Sequence, residues 1–506
     1  MKPIVSAEEM KKLDANTIGF FHVPSLVLME RAAYSVYETV VDMIKGSDPV
    51  LIVCGTGNNG ADGLALARML FLDGIPVNVV LLGDEAKCTE ENARQLLILR
   101  SYKIPIYTEI RAQSYSMVID AIFGVGLKRN VEGIYSEVVE QMNLIDATKV
   151  AVDIPSGVNT DTGNIMGNAF AADITVTFAC HKYGHLLYPG KGYCGKVIVK
   201  DIGITKLSAL EMTVRGMAPE PSDLSKLPLR ISQSNKATYG RVLSICGSKD
   251  MAGAGVFCSK SAYLAGAGIV DVFTPEVNRN IIQTAVPEAV LTSYDPAGDE
   301  YITKLETALS KCTVCVAGCG LSTSDVAHDI MMCVLSKGNV PLVLDADALN
   351  LIAASSQLRD LLNAYPEDKI FTPHLKEASR LLECEVADIK TDLREAAADI
   401  SEKYECNVVL KDAASVIYTL RGKLYVNTSG NDGMSKGGSG DVLAGIVAGL
   451  VACGAKCDTA AYMGAYLHGL AGDEAVKTTG NYSLMATDLM EGIKAVLRKK
   501  DENGAS

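Results

Sequence analysis

Two runs of alternation restrict this chain to one class of fold. Short, continuously apolar segments are separated by helical patterns: VLIVCG (Val50–Gly55), PVNVVLL (Pro76–Leu82), MVIDAIF (Met117–Phe123), KVAVDIP (Lys149–Pro155), DITVTF (Asp173–Phe178) and KVIVKDIG (Lys196–Gly203). A strand apolar at every residue has both faces covered, so this pattern predicts a parallel sheet between two helical layers. A long helical region over Ser6–Lys45 precedes it. The alternation lapses in MAPEPSDLSKLPLRISQ (Met217–Gln233), where Pro219, Pro221 and Pro228 mark a linker. It restarts with RVLSICG (Arg241–Gly247), followed by IVDVFTP, TVCVAG, PLVLDAD, KIFTP and NVVLK. SVIYTL and KLYVN, joined by Arg421–Gly422, predict an antiparallel hairpin. Helices are expected over Ala254–Ala267, Asp441–Cys453, Thr459–Lys477 and Leu484–Lys499. At 506 residues the chain exceeds the usual size of one core. The reading is therefore α/β with two domains, 1–216 and 234–506, joined by a linker over 217–233. Ligand sites are expected at the carboxyl ends of the strands.

Charge and cysteine usage narrow the function classes. A net charge of −13 argues against nucleic acid or an anionic membrane as the main partner. An anionic substrate then needs locally built sites, such as backbone nests or bound cations. No apolar run reaches the roughly 18 residues of a membrane span, and MKPIVSAEEMKKLDANT lacks the apolar core of a secretion signal. The 14 cysteines are scattered, mostly in apolar segments, which fits reduced thiols and a cytoplasmic location. Cys312 and Cys315 form a CxxC with Cys319 nearby, but KCTVCVAGCG reads as a buried strand entering a glycine turn rather than a metal or redox site. His181 and His185 are four apart, with Gly184 interrupting any helix that would align them, and read as loop histidines.

The richest stretch for chemistry is NDGMSKGGSGDVLAGIVAGL (Asn431–Leu450). Gly433, Gly437, Gly438 and Gly440 form a turn leading straight into an apolar helix, with Asp441 at its entrance. A helix N-terminus offers unpaired N–H groups and about half a positive charge, which suits a phosphate. An aspartate there is placed to take a proton from a hydroxyl while the amides hold the phosphoryl group moving onto it.

In the first half, Gly55-Thr56-Gly57-Asn58-Asn59-Gly60 follows a strand and opens a helix, and Asp84 ends the next strand. That satisfies the dinucleotide template, so a plain NAD(P) dehydrogenase is a rival reading. Asn58, Asn59 and Asp62, however, put three oxygen-bearing side chains into a turn that ordinary dinucleotide loops keep small. DAIFGVGLKRN (Asp120–Asn130) and VDIPSGVNTDTG (Val152–Gly163) add carboxylates at two more strand ends, so three loops converge on one rim. These motifs, over roughly Ile4–Leu210, resemble the NAD(P)H-hydrate epimerase domain, which implies a Rossmann-like three-layer αβα fold. The resemblance implies that Asn58, Asn59, Gly60, Ala61 and Asp62 contact the damaged nucleotide. Gly124, Val125, Gly126, Leu127, Lys128, Arg129 and Asn130 would meet its phosphates, and Asp153 its nicotinamide end as acid/base catalyst. Asn59, Asp120 and Ser156 would hold a potassium ion. Ala61 departs from the family, which often has glycine there; a methyl is tolerable if φ stays negative.

In the second half the phosphate loop belongs to a set with Asn235–Ala254, AGCGLSTSD (Ala317–Asp325), LVLDADALN (Leu342–Asn350), FTPHLKEASRLL (Phe371–Leu382) and VVLKDAAS (Val408–Ser415). No GxxxxGK[ST] occurs, so this is not a P-loop chain. The set, over about Ala218–Lys499, resembles the ribokinase-like superfamily and, within it, the NAD(P)H-hydrate dehydratase domain. The family's Gly-Pro-Gly turn is Gly318-Cys319-Gly320 here. By that resemblance Asp441 is the general base, and Ala254, Gly320, His374 and Asp441 contact the hydrated cofactor. The nucleotide donor would be bound by Lys411, Asp412, Ala413, Ala414 and Ser415, and by Asn431, Asp432, Gly433, Met434, Ser435, Lys436, Gly437, Gly438, Ser439 and Gly440. Magnesium would bridge the donor phosphates. Asp345 and Asp347 either aid magnesium or cap the following helix.

Fusion of the two domains resembles bifunctional repair enzymes that epimerise NAD(P)HX and dehydrate its S form with ADP. The glycines themselves do not choose between ADP and ATP. The resemblance implies small-molecule partners, NADHX or NADPHX and ADP, with no nucleic acid and no membrane; a homo-oligomer is also expected. A kinase for a small alcohol, or a first half kept as a non-catalytic binding module, are the competing readings.

Overall fold

Val50–Cys54 and Met117–Ala121 are buried at every position, as strands inside a doubly covered parallel sheet must be. The computed structural model describes residues 1–210, 212–298 and 300–504. It divides into two compact units, Lys2–Gly216 and Met217–Ser506 with Met1.

The first unit runs β1 (Lys2–Val5), α1 (Ala7–Gly19), α2 (Ser25–Val40), β2 (Val50–Cys54), α3 (Asn58–Leu72), β3 (Val77–Leu81), α4 (Glu90–Ser101), β4 (Ile106–Tyr107), β5 (Met117–Ala121), α5 (Ile134–Leu144), β6 (Thr148–Val152), β7 (Ile174–Phe178), β8 (His181–Lys182) and β9 (Lys196–Lys200). Its main sheet is parallel throughout, in the order β4-β3-β2-β5-β6-β7-β9. The expected helical region over Ser6–Lys45 consists of two main helices. α1 opens with a reciprocal cap, in which Ser6 Oγ accepts from Glu9 N and the Glu9 carboxylate accepts from Ser6 N. His22, at φ 56, and Pro24 then break the path before α2, because proline disfavours helical geometry in the residue before it. The chain moves outward from β2 through β3 to β4, then crosses to β5 on the other side. The β2–β5 crevice is therefore the switch point where such sheets bind ligands.

In the second unit, after the short β10 (Gly216–Ala218), come β11 (Arg241–Ile245), α6 (Ala252–Leu264), β12 (Ile269–Pro275), α7 (Arg279–Ala285), β13 (Val290–Tyr294), α8 (Tyr301–Leu309), β14 (Val314–Ala317), α9 (Asp325–Lys337), β15 (Leu342–Leu344), α10 (Ala346–Ala354), α11 (Ser356–Asn363), β16 (Lys369–Phe371), α12 (Leu375–Leu382), α13 (Val386–Ile389) and α14 (Leu393–Tyr404). β17 (Asn407–Leu410), β18 (Val416–Tyr418), β19 (Leu424–Val426), α15 (Ser439–Ala452), α16 (Cys457–Ser483) and α17 (Ala486–Gly504) complete it. Strand order is β13-β12-β11-β14-β15-β16-β17-β18-β19, parallel as far as β17 and antiparallel in the predicted hairpin. The switch point here lies between β11 and β14. In the 217–233 segment Leu224 and Leu227 are buried in this unit's core. α15 is buried from Val442 to Ala452 and presses on α6. A Cβ at Gly445 would stand 2.1 Å from the Cys258 carbonyl oxygen, so only glycine permits the approach. Among the described residues no helix is long and apolar enough to cross a membrane.

Candidate active sites

The first unit's three strand-end loops meet around a cavity of about 760 Å³. Asn92 of α4, fully buried, fixes the β2 loop by donating to the Gly55 and Gly57 carbonyls at 2.9 and 3.0 Å. Asn58, Asn59 and Asp62 from α3, Gly124 to Arg129 after β5, and Asp153 after β6 line the cavity. Three expected contacts do not reach it. Gly60, Ala61 and Asn130 are absent from the lining, and the Ala61 methyl is buried in an apolar cluster with Met29 and Ala33. Ala61 itself is helical, so its methyl brings no strain. Asp84, the acid a dehydrogenase would aim at a ribose, is instead an exposed cap accepting from Ala86 N.

Asp153 is the most constrained residue of this site. Its φ is 67, a strained value for an aspartate and one held in place by surrounding bonds. Its carboxylate accepts from Lys182 Nζ at 2.5 Å and Thr177 Oγ1 at 2.8 Å. Lys182 is fully buried and donates also to Thr177 Oγ1 and the Phe178 carbonyl. His185, read from sequence as a loop residue, is buried in this network. The Lys182 N–H donates to its Nδ1, which puts the ring proton on Nε2, 2.9 Å from the Asp153 carbonyl oxygen. Burial, with Lys182 beside it, lowers this imidazole to about 3, so it stays neutral. Burial pushes the Asp153 carboxyl up, but the Lys182 charge and hydrogen bonds outweigh it and leave it below the usual range. Across the cavity burial, with the Asp153 charge, raises Asp14 to about 6 and Asp62 well above a normal aspartate. One ionised carboxylate thus faces two that favour the proton, an arrangement suited to acid/base work.

Asp120 and Ser156 are buried behind the cavity lining, beneath the β5 loop. The Asp120 carboxylate accepts from Ser156 Oγ and N, both at 2.7 Å, and from Ile122 N. Burial raises Asp120 to about 6 against those bonds. Ser156 Oγ also accepts from Phe123 N at 2.9 Å, and the next residue, Gly124, leaves room for Asn59, whose Oδ1 would lie 3.2 Å from a Cβ there. Asn59 Nδ2 is buried without a partner. Carboxylate, hydroxyl and amide oxygens are a hard donor set, which fits an alkali cation.

The second unit gathers its charges at the β15, β16 and β17 ends. Lys411 Nζ donates to Asp345 Oδ1 at 2.6 Å and lies 4.0 Å from Glu377 Oε2. Asp345 occupies the cap position of α10 without capping it, so its carboxylate serves the site. Asp347 is structural, accepting from Ser322 N at 2.8 Å. Gly440 stands where a Cβ would be 3.4 Å from Lys411 Nζ and 3.6 Å from Asp345 Oδ2. Next to it burial, then the Asp345 charge, raises Asp441 to about 7, with the Cys319 thiol and Lys411 opposing. Ala254 and Gly320 adjoin: a Cβ on Gly320 would be 2.9 Å from that of Ala254. His374 caps α12, its Nδ1 accepting from Lys376 N and Glu377 N, and its Nε2 is 3.2 Å from Glu377 Oε1. Glu377 is raised to about 7 by burial, with Asp345 adding to it and Lys411 opposing.

The glycine-rich loop over 431–440 is anchored from both ends. Asn431 Oδ1 accepts from Gly433 N, and its Nδ2 donates to Asp473. Gly438, at φ 90, starts α15, and Ser439 Oγ meets His468 Nε2 at 3.3 Å. Lys436 Nζ is bonded to the Tyr482 carbonyl. Asp432 pairs with Asn481. Asp412 and Ala413 are exposed beside Lys411, Ala414 is buried and Ser415 is partly exposed. Sequence reasoning missed Asp14, Thr177, Lys182, His185 and Glu377. The only signal was a lysine and a histidine in FACHKYGH just past an apolar strand.

Comparison with known proteins agrees with this division. The family described as YjeF-related protein N-terminus matches residues 25–184, and the family described as NAD(P)H-hydrate dehydratase matches 242–495. The chain is 37% identical to the bifunctional NAD(P)H-hydrate repair enzyme Nnr of Moorella thermoacetica, over 99% of this chain and 97% of that one. It is 31% identical to the Escherichia coli enzyme of the same name, over 97% and 93%. Among solved structures, a ribokinase-like superfamily protein from Enterococcus faecalis is 29% identical with a TM-score of 0.51, covering 57% of this chain and 97% of that one.

Proposed function

The chain belongs to the family of bifunctional NAD(P)H-hydrate repair enzymes, and from that premise we propose the division of labour that follows. Residues 1–216 interconvert the R and S forms of NADHX and NADPHX, and residues 234–506 dehydrate the S form with ADP, yielding NAD(P)H, AMP and phosphate. The observation that carries this reading is a pair of dissimilar carboxylates: Asp153 at a strand end, ionised beside Lys182, and Asp441 in the first turn of α15, raised at a glycine-rich helix entrance.

In the first half Asp153 moves a proton while C6 of the hydrated ring passes through a planar or ring-opened state. Lys182 and Thr177 hold the carboxylate in position at the wall of the cavity of about 760 Å³. Asn59, Asp120 and Ser156 would hold potassium, which would supply positive charge for the substrate's phosphates. In the second half Asp441 takes the proton of the C6 hydroxyl as the phosphoryl group transfers to it. The Gly437 to Gly440 amides stabilise charge on the moving group. The phosphorylated oxygen then leaves C6 as phosphate while C5 gives up a proton, restoring the double bond of the dihydronicotinamide. Lys411 to Ser415 and Asn431 to Gly440 bind the donor, while Ala254, Gly320 and His374 border the hydrated ring. Magnesium at the donor phosphates would neutralise their charge; Asp345 Oδ2, beside Gly440, is a hard oxygen placed to help hold it. We propose small-molecule partners, a cytoplasmic setting and a homo-oligomer.

The test uses the Asp441→Asn variant with R-enriched NADHX. Conversion to the R/S equilibrium without NADH formation is expected. NADH formation at the wild-type rate, or no epimerisation, would overturn the assignment of the halves.

A further inference from the structure

Neither proposed reaction uses the sulfurs of Cys246, Cys258 and Cys319. β11 delivers Cys246 at its carboxyl end, the neighbouring β14 delivers Cys319 between Gly318 and Gly320, and α6 lays Cys258 against both. The three sulfurs lie within 4.8 Å of one another, and all three side chains are fully buried. They come from positions 12 and 61 residues apart in sequence (258 − 246 and 319 − 258), which is why no spacing motif announces them. The backbone that aims them is fixed by other contacts. Gly318 and Gly320 have φ of 118 and 60, and Gly445 lets α15 pin α6 at the Cys258 carbonyl. All three cysteines are free thiols. Cys319 Sγ also lies 3.9 Å from Asp345 Oδ2, the carboxylate that holds Lys411 and borders Gly440.

We propose that this cluster is a thiophilic metal site, taking a soft d10 cation of the Zn(II), Cd(II) or Cu(I) class on three thiolates. Occupation of the site inhibits the dehydratase. Metal–sulfur bonds of about 2.3 Å set three sulfurs around one ion about 4 Å apart, so closing the ring needs a contraction of less than about 1 Å. Three sulfurs select soft ions over the hard potassium and magnesium of the two reactions. Each metal–sulfur bond forms as its thiol loses a proton, so three protons leave per ion and nothing is oxidised. Asp345 Oδ2 is within reach as a fourth ligand. Its recruitment draws the carboxylate away from Lys411 and the phosphate loop, while the cavity of the first unit has no part in the site. Access requires local opening at the start of α6, where Met251 is 52% exposed.

Binding does not depend on the reactions proposed above; the inhibition rests on the dehydratase reading. The experiment titrates the reduced full chain with Cd(II), using a non-thiol reductant. It follows the ultraviolet thiolate-to-cadmium charge-transfer band and proton release. Wild type and Cys384→Ser, a control cysteine in the same unit, are expected to bind a first equivalent with three protons released. Cys246→Ser and Cys258→Ser, chosen as near-isosteric and checked by circular dichroism, should weaken that equivalent by at least about tenfold, because one of three thiolates is gone. Equal binding by wild type and both folded variants overturns the site. Cd(II) should also suppress NADH formation in wild type, reversibly on chelation, and spare Cys258→Ser; equal suppression in that variant overturns the link to inhibition. Loss of NADH formation in every sample without Cd(II) would count against the dehydratase reading alone, since the binding arm still reports on the cluster.

Discussion

Asp153 directly follows the parallel strand β6 and Asp441 lies in the first turn of α15, and the two carboxylates are prepared in opposite ways. Asp153 is locked by a buried lysine at 2.5 Å and kept ionised. Asp441 has its nearest lysine engaged elsewhere, because Lys411 is bonded to Asp345 at 2.6 Å, and burial raises it to about 7. The difference follows from what each must handle. An epimerase works on one neutral ring centre in both directions, so a carboxylate fixed by its neighbours suffices. A phosphoryl transfer brings a highly charged donor, so a site with an underused positive loop and a proton-poised base is complete only when that donor arrives.

The largest expected effect breaks the comparison on one side only. Asp441→Asn should lower dehydratase kcat by about 10³-fold, within the usual range for a general base, with epimerisation unchanged; steady-state rates of each reaction on the same preparation check this. Asp153→Asn should do the reverse, lowering epimerisation by about 10²-fold and leaving dehydration of purified (S)-NADHX intact. Lys182→Met sharpens the contrast. It strands a buried carboxylate, which should cost about 3–5 kcal/mol in denaturant unfolding and shift the acidic limb of epimerisation upward.

A smaller effect concerns pH. A base must be ionised to act, so a carboxyl raised to about 7 loses activity as pH falls below that value. The dehydratase kcat/KM should therefore drop about tenfold per pH unit below about 7. Epimerisation should hold to lower pH, until protonation of Asp120 near 6 disturbs its bonds to Ser156. Coincident limbs in the two pH profiles would remove the distinction. Smallest of all, replacing potassium by lithium should slow only epimerisation, by about tenfold, as should Ser156→Ala, since one oxygen of the proposed cation set is lost.

The two halves also differ in how legible they were. Nearly continuous apolar strands, such as Val50–Cys54 in the first unit and Val314–Ala317 in the second, announced both parallel sheets, and the glycine-rich turn before α15 was legible as a helix entrance. The break between α1 and α2 was less visible, although Pro24 hinted at it. Lys182 and His185 were not legible, because a strained φ at Asp153 and a turn at Gly184 bring them together only in three dimensions. The direction of the Ala61 side chain was not legible for a related reason: helical periodicity turns its methyl toward Met29 rather than the cavity. Cys246, Cys258 and Cys319 lie far apart in sequence and meet only because β11 and β14 are neighbours under α6.

The central claim is that one chain carries both preparations of a carboxylate for consecutive steps on the same damaged cofactor. The direct measurement supplies the full chain with mixed R and S NADHX, potassium and magnesium, with ADP or ATP in parallel, and follows dihydronicotinamide absorbance. The account predicts complete recovery with ADP, including the R fraction, at a rate well above spontaneous epimerisation. Recovery that stops at the S fraction would contradict the role given to Asp153, and no recovery with either nucleotide would contradict the role given to Asp441.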